Sequence, residues 1–546
     1  MTLIGSEILA KALKRQDVEC FFYLMGGPMM AAETATMAEG IRGIDVRHEQ
    51  AAAMMAHAWA RIRNRPGVCM AASGPGTTNL ITGVAHAWAD CVPVVALGGS
   101  APLGACGRGA FQEIDQLAMM KPATKWAERV HDPRRIPELV DRAFECAMSG
   151  KPGPVYLDLP GDVLYTPVEE DDVPWKALPN GRNRHRPSLS AEAVADILRR
   201  LEAAERPIVV SGGGILWSQA EAALEAFVER FGIPFFTTPQ SRGVIREDHP
   251  LSFLTARSAA FREADLVLVL GTRMNYVIAH GDPPRFHPDA RFVRIDIDPG
   301  EIDTSPRLDL GVVCDARAAL EVLCANGKGD PDRYATWRER LAGRNAGRAG
   351  DHERLLSNDD VPVHPLRLCA EIREFMDRDA VLVVDGQEIL NYGRQAIPTH
   401  TARHRINSGV FGTMGVGLPC AIGAKLAKPE AQVIALHGDG SLGMNVMELD
   451  TAVRHDVPLL IVVSLNGGWT GDPDRDKPGR DLGYTRYDMI AQALGCHGEH
   501  VEDPAEIRPA LERAQTEVDR GRVALVNVKT DWRARASTIA FTRYAT

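Results

Sequence analysis

Two groups of residues have the types and spacing to do chemistry. The first is His437-Gly438-Asp439-Gly440-Ser441, which follows an apolar run, together with Asn466, which closes the next apolar run 27 residues after Asp439. A carboxylate and an amide oxygen at neighbouring strand ends suit an octahedral magnesium, with phosphate oxygens, a backbone carbonyl and water as its other ligands. Gly438 and Gly440 let backbone N–H groups approach a phosphate, and a helix start behind them would favour its charge. The second is Glu49 in RHEQAAAMMAHAWAR (47–61), which opens an alanine-rich helix after a short strand. Read alone, Glu49 is a first-turn helix carboxylate stabilised by the helix dipole; held in an apolar pocket, such a carboxyl could instead serve general acid–base work. No second histidine follows four residues after His48, so this is not a metalloprotease helix.

The elements around these residues are strand-like runs alternating with amphipathic helical stretches, as in repeated α/β units with parallel sheets. The runs are VCMAAS (68–73), VPVVALGG (92–99), PIVVSGGG (207–214), DLVLVLG (265–271), AVLVVDG (380–386), QVIALHGDG (432–440), PLLIVVSLN (458–466) and VALVNV (523–528). Several end in glycine, where open α/β sheets place their ligand loops. Polar, proline-rich breaks near 165–190 and 328–364 read as linkers. Three domains are therefore expected, over 1–165, 190–330 and 360–546.

Composition removes other classes of function. With 62 basic against 72 acidic residues the net charge is −10, and no general basic surface offers itself to nucleic acid. No apolar run approaches the roughly 20 residues that span a bilayer, which argues against a membrane protein. The opening MTLIGSEILAKALKRQ lacks the sections of a signal peptide, and the cytoplasm is the expected location. Ten cysteines without a CxxC pair read as reduced core thiols rather than a zinc site or disulfide framework.

The GDG…Asn pattern resembles that of the thiamine diphosphate enzymes. The resemblance implies Asp439, Asn466 and the backbone carbonyl of Gly468 as magnesium ligands. Leu465-Asn466 departs from the family's frequent Asn-Asn, but only the second asparagine binds metal there. A glutamate placed like Glu49 promotes the imino tautomer of the cofactor's aminopyrimidine in this family, and that tautomer deprotonates the thiazolium C2. SGVFGTMGVGLPCAIGAKLA (408–427) resembles the segment cradling the pyrimidine, with the Gly412 carbonyl accepting from the 4′-amino group and Met414 wedged between the two rings. DGQEI (385–389) resembles the second diphosphate loop, which makes Gly386 and Gln387 cofactor contacts along with Gly438, Gly440, Ser441 and Trp469. SGPGTTNLITGVAHAWADCVPVVALGG (73–99) resembles the pyrimidine domain, so the likeness reaches both ends of the chain.

The fold class so implied is α/β, with three doubly wound parallel-sheet domains: pyrimidine-binding, central nucleotide-binding-like, and diphosphate-binding. Glu49 and Asp439 would come from different subunits, which implies a homodimer at minimum and points to a homotetramer. A homologue that binds cofactor without catalysis would have lost the glutamate, and Glu49 is present.

Members of the family share addition of the activated cofactor to a carbonyl, with the cofactor as electron sink. Phe111 and Gln112 occur together in 2-hydroxyacyl-CoA lyases and in acetolactate synthases, and Gln112 is expected to act catalytically. The segment 271–299 resembles the lyase and oxalyl-CoA decarboxylase central domain, which holds the ADP part of CoA, and lacks the run found in flavin-binding synthases. Gly161 stands where those synthases carry a lysine, and RHRINSGVFGTMGVGL (403–418) resembles the lyases. Oxalyl-CoA decarboxylases usually have Tyr-Glu in place of Phe111-Gln112, and the active-site histidine of benzaldehyde lyase is replaced by Pro28. The expected reaction is reversible cleavage of a 2-hydroxyacyl-CoA to formyl-CoA and an aldehyde or ketone, with Phe111, Arg273 and Arg405 near substrate. The alternative is a synthase-like carboligase or a decarboxylase of 2-keto acids or oxalyl-CoA. The tail DWRARASTIAFTRYAT (531–546) carries Arg533, Arg535 and Arg543 with Phe541 and Tyr544, residues suited to closing over an acyl-CoA.

Overall fold

A computed structural model describes residues 1–175, 186–302, 307–346, 354–469 and 478–536. Each of the eight apolar runs forms a strand, and together with shorter strands they build three sheets. Their side chains are buried on both faces, which is why they read as continuous apolar stretches rather than alternating ones.

The chain forms two compact units: residues 1–180, 359–395 and 406–546, and residues 181–358 with 396–405. The first unit holds two six-stranded sheets. One has the spatial order Arg42–Asp45, Cys20–Leu24, Gly67–Ala71, Val94–Ser100, Val155–Pro160, Trp126–Arg129, with every pair parallel. Thr2–Ile4 pairs antiparallel with Pro167–Glu169 beside it. The other runs Arg405–Asn407, Val381–Asp385, Val433–Gly438, Leu460–Leu465, Ala524–Lys529, His497–Val501, and its five longer strands pair in parallel.

The two halves of this unit meet through helices Glu49–Arg63 and Gly417–Ala427. Small residues allow the close approach. A Cβ on Gly423 would lie 2.3 Å from the Met55 carbonyl oxygen, and the Cys420 thiol donates to the Met54 carbonyl at 3.5 Å. Helix Glu49–Arg63 is buried along nearly its whole length, which accounts for its run of alanines and methionines, and it takes His57 and Arg61 into the interior with them.

The second unit has one parallel five-stranded sheet, ordered Phe235–Thr237, Pro207–Ser211, Leu266–Leu270, Arg291–Asp296, Leu308–Val313. Two readings need correcting. The break at 328–364 is not all linker, because helix Ala335–Ala346 buries Trp337 and Leu341 in this core and the Trp337 indole donates to the Pro207 carbonyl at 3.2 Å. An i, i+4 apolar pair in a charged stretch was its only signal. Six of the ten cysteines are buried, but Cys106 is exposed and is no core thiol.

Candidate active site

The strand ends bring the expected metal ligands together. Val433–Gly438 and Leu460–Leu465 pair in parallel with Gly438 opposite Ser464, so the residues just beyond them, Asp439 and Asn466, emerge on one edge. Asp439 Oδ2 and Asn466 Oδ1 both accept from the Gly468 N–H, at 3.0 and 3.2 Å, while Asp439 Oδ1 accepts from the Gly440 N–H at 2.8 Å. Burial pushes the Asp439 carboxyl up to about 6, against the pull of backbone N–H groups and the Arg480 guanidinium. Two oxygens converging on one point, one from a carboxylate whose burial disfavours its charge, fit a hard dication.

Around them lies an open cleft of about 420 Å³. Of the expected cofactor residues, Gly386, Gln387, Met414, Gly438, Asp439, Gly440, Ser441, Asn466, Gly468 and Trp469 line it. The glycines are needed for space: a Cβ on Gly440 would lie 2.6 Å from the Trp469 ring, and one on Gly386, at φ +122°, would lie 3.1 Å from Gly438 N. Gly412, at φ +68°, faces open space outside the lining. Asp531 and Ala534 line the cleft too, and the Ala536 N–H donates to Glu388 at 3.0 Å, so the tail begins against the 385–389 segment expected to meet the diphosphate. Arg543, Phe541 and Tyr544 lie outside the described residues.

A second group gathers on the first sheet. His48 caps the helix that Glu49 opens, its ring accepting from the Gln50 N–H. Glu49 is buried; Asn79 Nδ2 donates to its Oε2 at 2.9 Å, and Gly76 leaves space beside its Oε1. The turn at Ser73–Gly76 joins Glu49 to Gln112, whose Oε1 accepts from Ser73 Oγ at 3.0 Å. Phe111 beside it is 86% exposed. None of these residues lines the cleft around Asp439.

Arg273 lies half-buried in the second unit, just after strand Leu266–Leu270. Arg405 is fully buried and donates to the Ile397 carbonyl at 3.4 Å, away from the cleft lining.

Sequence reasoning passed over several residues that hold the site. Arg480 donates to the carbonyls of Gly467 (2.8 Å) and Asn466 (3.4 Å), and the Tyr487 hydroxyl donates to the Asp439 carbonyl at 2.9 Å. Glu448 accepts from the N–H groups of Arg47 and His48, at 3.2 and 3.1 Å, and so steadies the entry to Glu49. Nothing in the local sequence marks them, because each acts across a fold contact.

Three family models match the chain in order: the N-terminal thiamine pyrophosphate-binding domain at residues 4–119, the central domain of thiamine pyrophosphate enzymes at 194–323, and the C-terminal thiamine pyrophosphate-binding domain at 390–528. The chain belongs to the thiamine pyrophosphate enzymes. Within that family it is 35% identical to the acetolactate synthase large subunit of Mycobacterium tuberculosis (strain ATCC 25618 / H37Rv), over 97% of this chain and 96% of the relative. It is 33% identical to a 2-hydroxyacyl-CoA lyase of Arabidopsis thaliana, over 96% and 95%. It is 32% identical to the oxalyl-CoA decarboxylase of Escherichia coli (strain K12), over 96% and 95%. Among the described residues, no helix is long and apolar enough to cross a membrane.

Proposed function

We propose that the enzyme reversibly cleaves a 2-hydroxyacyl-CoA to formyl-CoA and an aldehyde or ketone. The bond between C1 and C2 breaks, the C2 hydroxyl loses its proton as it becomes a carbonyl, and C1 gains a proton. Thiamine diphosphate, when bound, supplies an electron sink for the charge left on C1. Asp439, Asn466 and the Gly468 carbonyl would hold magnesium against its diphosphate, with Gly438, Gly440 and Gly386 letting the backbone close in. Met414 would support the cofactor rings, and Glu49 would exchange a proton with the pyrimidine.

The observation that carries the lyase reading is the surroundings of Gly161. A Cβ there would meet Pro28 at 3.3 Å and Pro102 at 3.7 Å, a slightly tight fit between two prolines, and the glycine brings no charge to stand in for the lysine of synthases that take a second keto acid. Gln112, held by Ser73 beside exposed Phe111, offers a neutral amide to orient a thioester or hydroxyl. Arg273 is a candidate for CoA or ADP in the central domain, and the tail beyond Ala536 a candidate lid. Because Glu49 and the metal cleft do not share a lining, we read the working form as a cytoplasmic homodimer or homotetramer in which one copy's Glu49 serves another's cleft.

The test is to incubate the magnesium- and thiamine diphosphate-loaded enzyme with formyl-CoA and a series of aldehydes. Formation of 2-hydroxyacyl-CoA supports the reading. The synthase at 35% identity favours a second reading, carboligation of 2-keto acids. Acetolactate formed from pyruvate, with no product from formyl-CoA, would establish that one instead.

A further inference from the structure

Gln112 adopts an unusual backbone conformation for a side-chain-bearing residue. Its φ is +57°, in the left-handed region, which non-glycine residues hold only when their surroundings over-determine it. Two anchors do so. On the outside, Glu113 accepts from the N–H groups of Gly109 and Ala110 at 3.0 and 2.9 Å, closing the loop on itself. On the inside, the loop rests on the Ser73–Gly74 turn. Gly74 has φ +58°, a Cβ on it would lie 2.5 Å from the Gln112 carbonyl oxygen, and Ser73 Oγ holds the Gln112 amide.

That turn is fixed in turn by Gln116, which is 1% exposed. Its Oε1 accepts from the Gly74 N–H at 2.9 Å. Its Nε2 lies 2.7 Å from both the Gly99 carbonyl and the Tyr156 hydroxyl, and 2.9 Å from Asp158 Oδ1. Asp158 is itself tied to Ser100 Oγ at 2.9 Å and Arg129 Nε at 2.5 Å. One buried amide thus links two neighbouring strands, Val94–Ser100 and Val155–Pro160, and through Asp158 a third, Trp126–Arg129, to the turn on which Gln112 sits. A satisfied network of this kind specifies a single geometry, because any displaced member leaves a buried polar group unpaired.

We infer that Gln116 is a positioning residue, setting the place of Gln112 and Phe111 over the substrate; this rests on the substrate-facing role proposed for Gln112. The experiment compares wild type, Gln112→Ala, Gln116→Met and the double variant. Gln116→Met removes the donors and acceptor at nearly constant length. It is expected to speed amide hydrogen exchange over residues 73–77 and 107–114, leave cofactor affinity near wild type, and lower kcat/KM by about 10- to 100-fold. The double variant is expected to fall no lower than Gln112→Ala alone, since effects relayed through one group do not add. Unchanged exchange in the loop, or additive kinetic losses, overturns the inference. Should Gln116→Met fail to fold, Gln116→Asn, which keeps the amide but withdraws it by one carbon, is expected to give the same pattern. If wild type turns over no 2-hydroxyacyl-CoA, the lyase reading fails, while the exchange measurement still decides the role of Gln116.

Discussion

Asp439 and Asn466, emerging from adjacent parallel strands, point side-chain oxygens at the same Gly468 N–H, 3.0 and 3.2 Å away. A cation between them would replace that shared donor with a stronger partner. Asp439→Ala is therefore expected to abolish magnesium-dependent binding of thiamine diphosphate. Titration calorimetry with and without magnesium checks this, and unchanged cofactor affinity would remove Asp439 from the metal site.

Glu49→Gln keeps the shape of the side chain and its contact with Asn79 while removing the ionisable group. Cofactor affinity is expected to hold while turnover falls by at least about 10²-fold, the scale of a general acid–base group. The rate of C2 proton exchange on bound cofactor, followed by NMR, should fall in parallel; near-normal exchange would take Glu49 out of the mechanism.

Arg480 braces the loop of the proposed metal site through the carbonyls of Gly467 and Asn466. Arg480→Met is expected to raise the magnesium concentration needed for half-maximal cofactor binding by about 10-fold or more, as for other groups that orient metal ligands. A magnesium titration of cofactor binding reads it directly.

His86 is fully buried against His57, Asp90 and Arg61, its Nε2 3.8 Å from Asp90 Oδ2. Burial first, then the neighbouring His57, push its imidazole down to about 4 from the ordinary 6.5. Between those values the unfolded chain binds more protons than the folded one, so stability is full above 6.5 and drains as pH falls toward 4. Going from pH 7 to pH 5 is expected to cost on the order of 2 kcal/mol in urea unfolding. His86→Leu should flatten that slope, and an unchanged slope would assign the acid sensitivity elsewhere.

The start of the tail is tied to Glu388 through Ala536, and the proposed lid would be formed by the residues beyond Ala536. Ending the chain after Ala536 is expected to weaken use of acyl-CoA with cofactor affinity unchanged. Ending it after Arg533 should weaken cofactor binding as well. Equal kinetics for the full chain and the first truncation would make the tail passive.

The convergence of Asp439 and Asn466 was legible because both are placed by local rules: an apolar strand, then a turn residue. The doubly buried strands were legible for the same reason. Arg480, Gln116 and Glu448 were not, since their role lies in which backbone groups they meet across the fold, and a lone Arg, Gln or Glu carries no periodicity. Arg405 shows the converse. Its segment matched the family well, yet the side chain is spent inside the protein on the Ile397 carbonyl.

The second unit takes residues 396–405 from a stretch synthesised well after its own sheet. Within it, the Arg242–Glu247 pair is completed by the Ile397 carbonyl and the Thr399 N–H, at 3.0 and 2.8 Å. On the ribosome this sheet emerges whole yet lacks those partners, leaving a buried ion pair short of hydrogen bonds until the later residues arrive. The central segment is thus not an independent module that can be excised at its sequence boundaries. A fragment of 186–358 alone is expected to unfold at lower urea than the same fragment supplied with a peptide of 396–405.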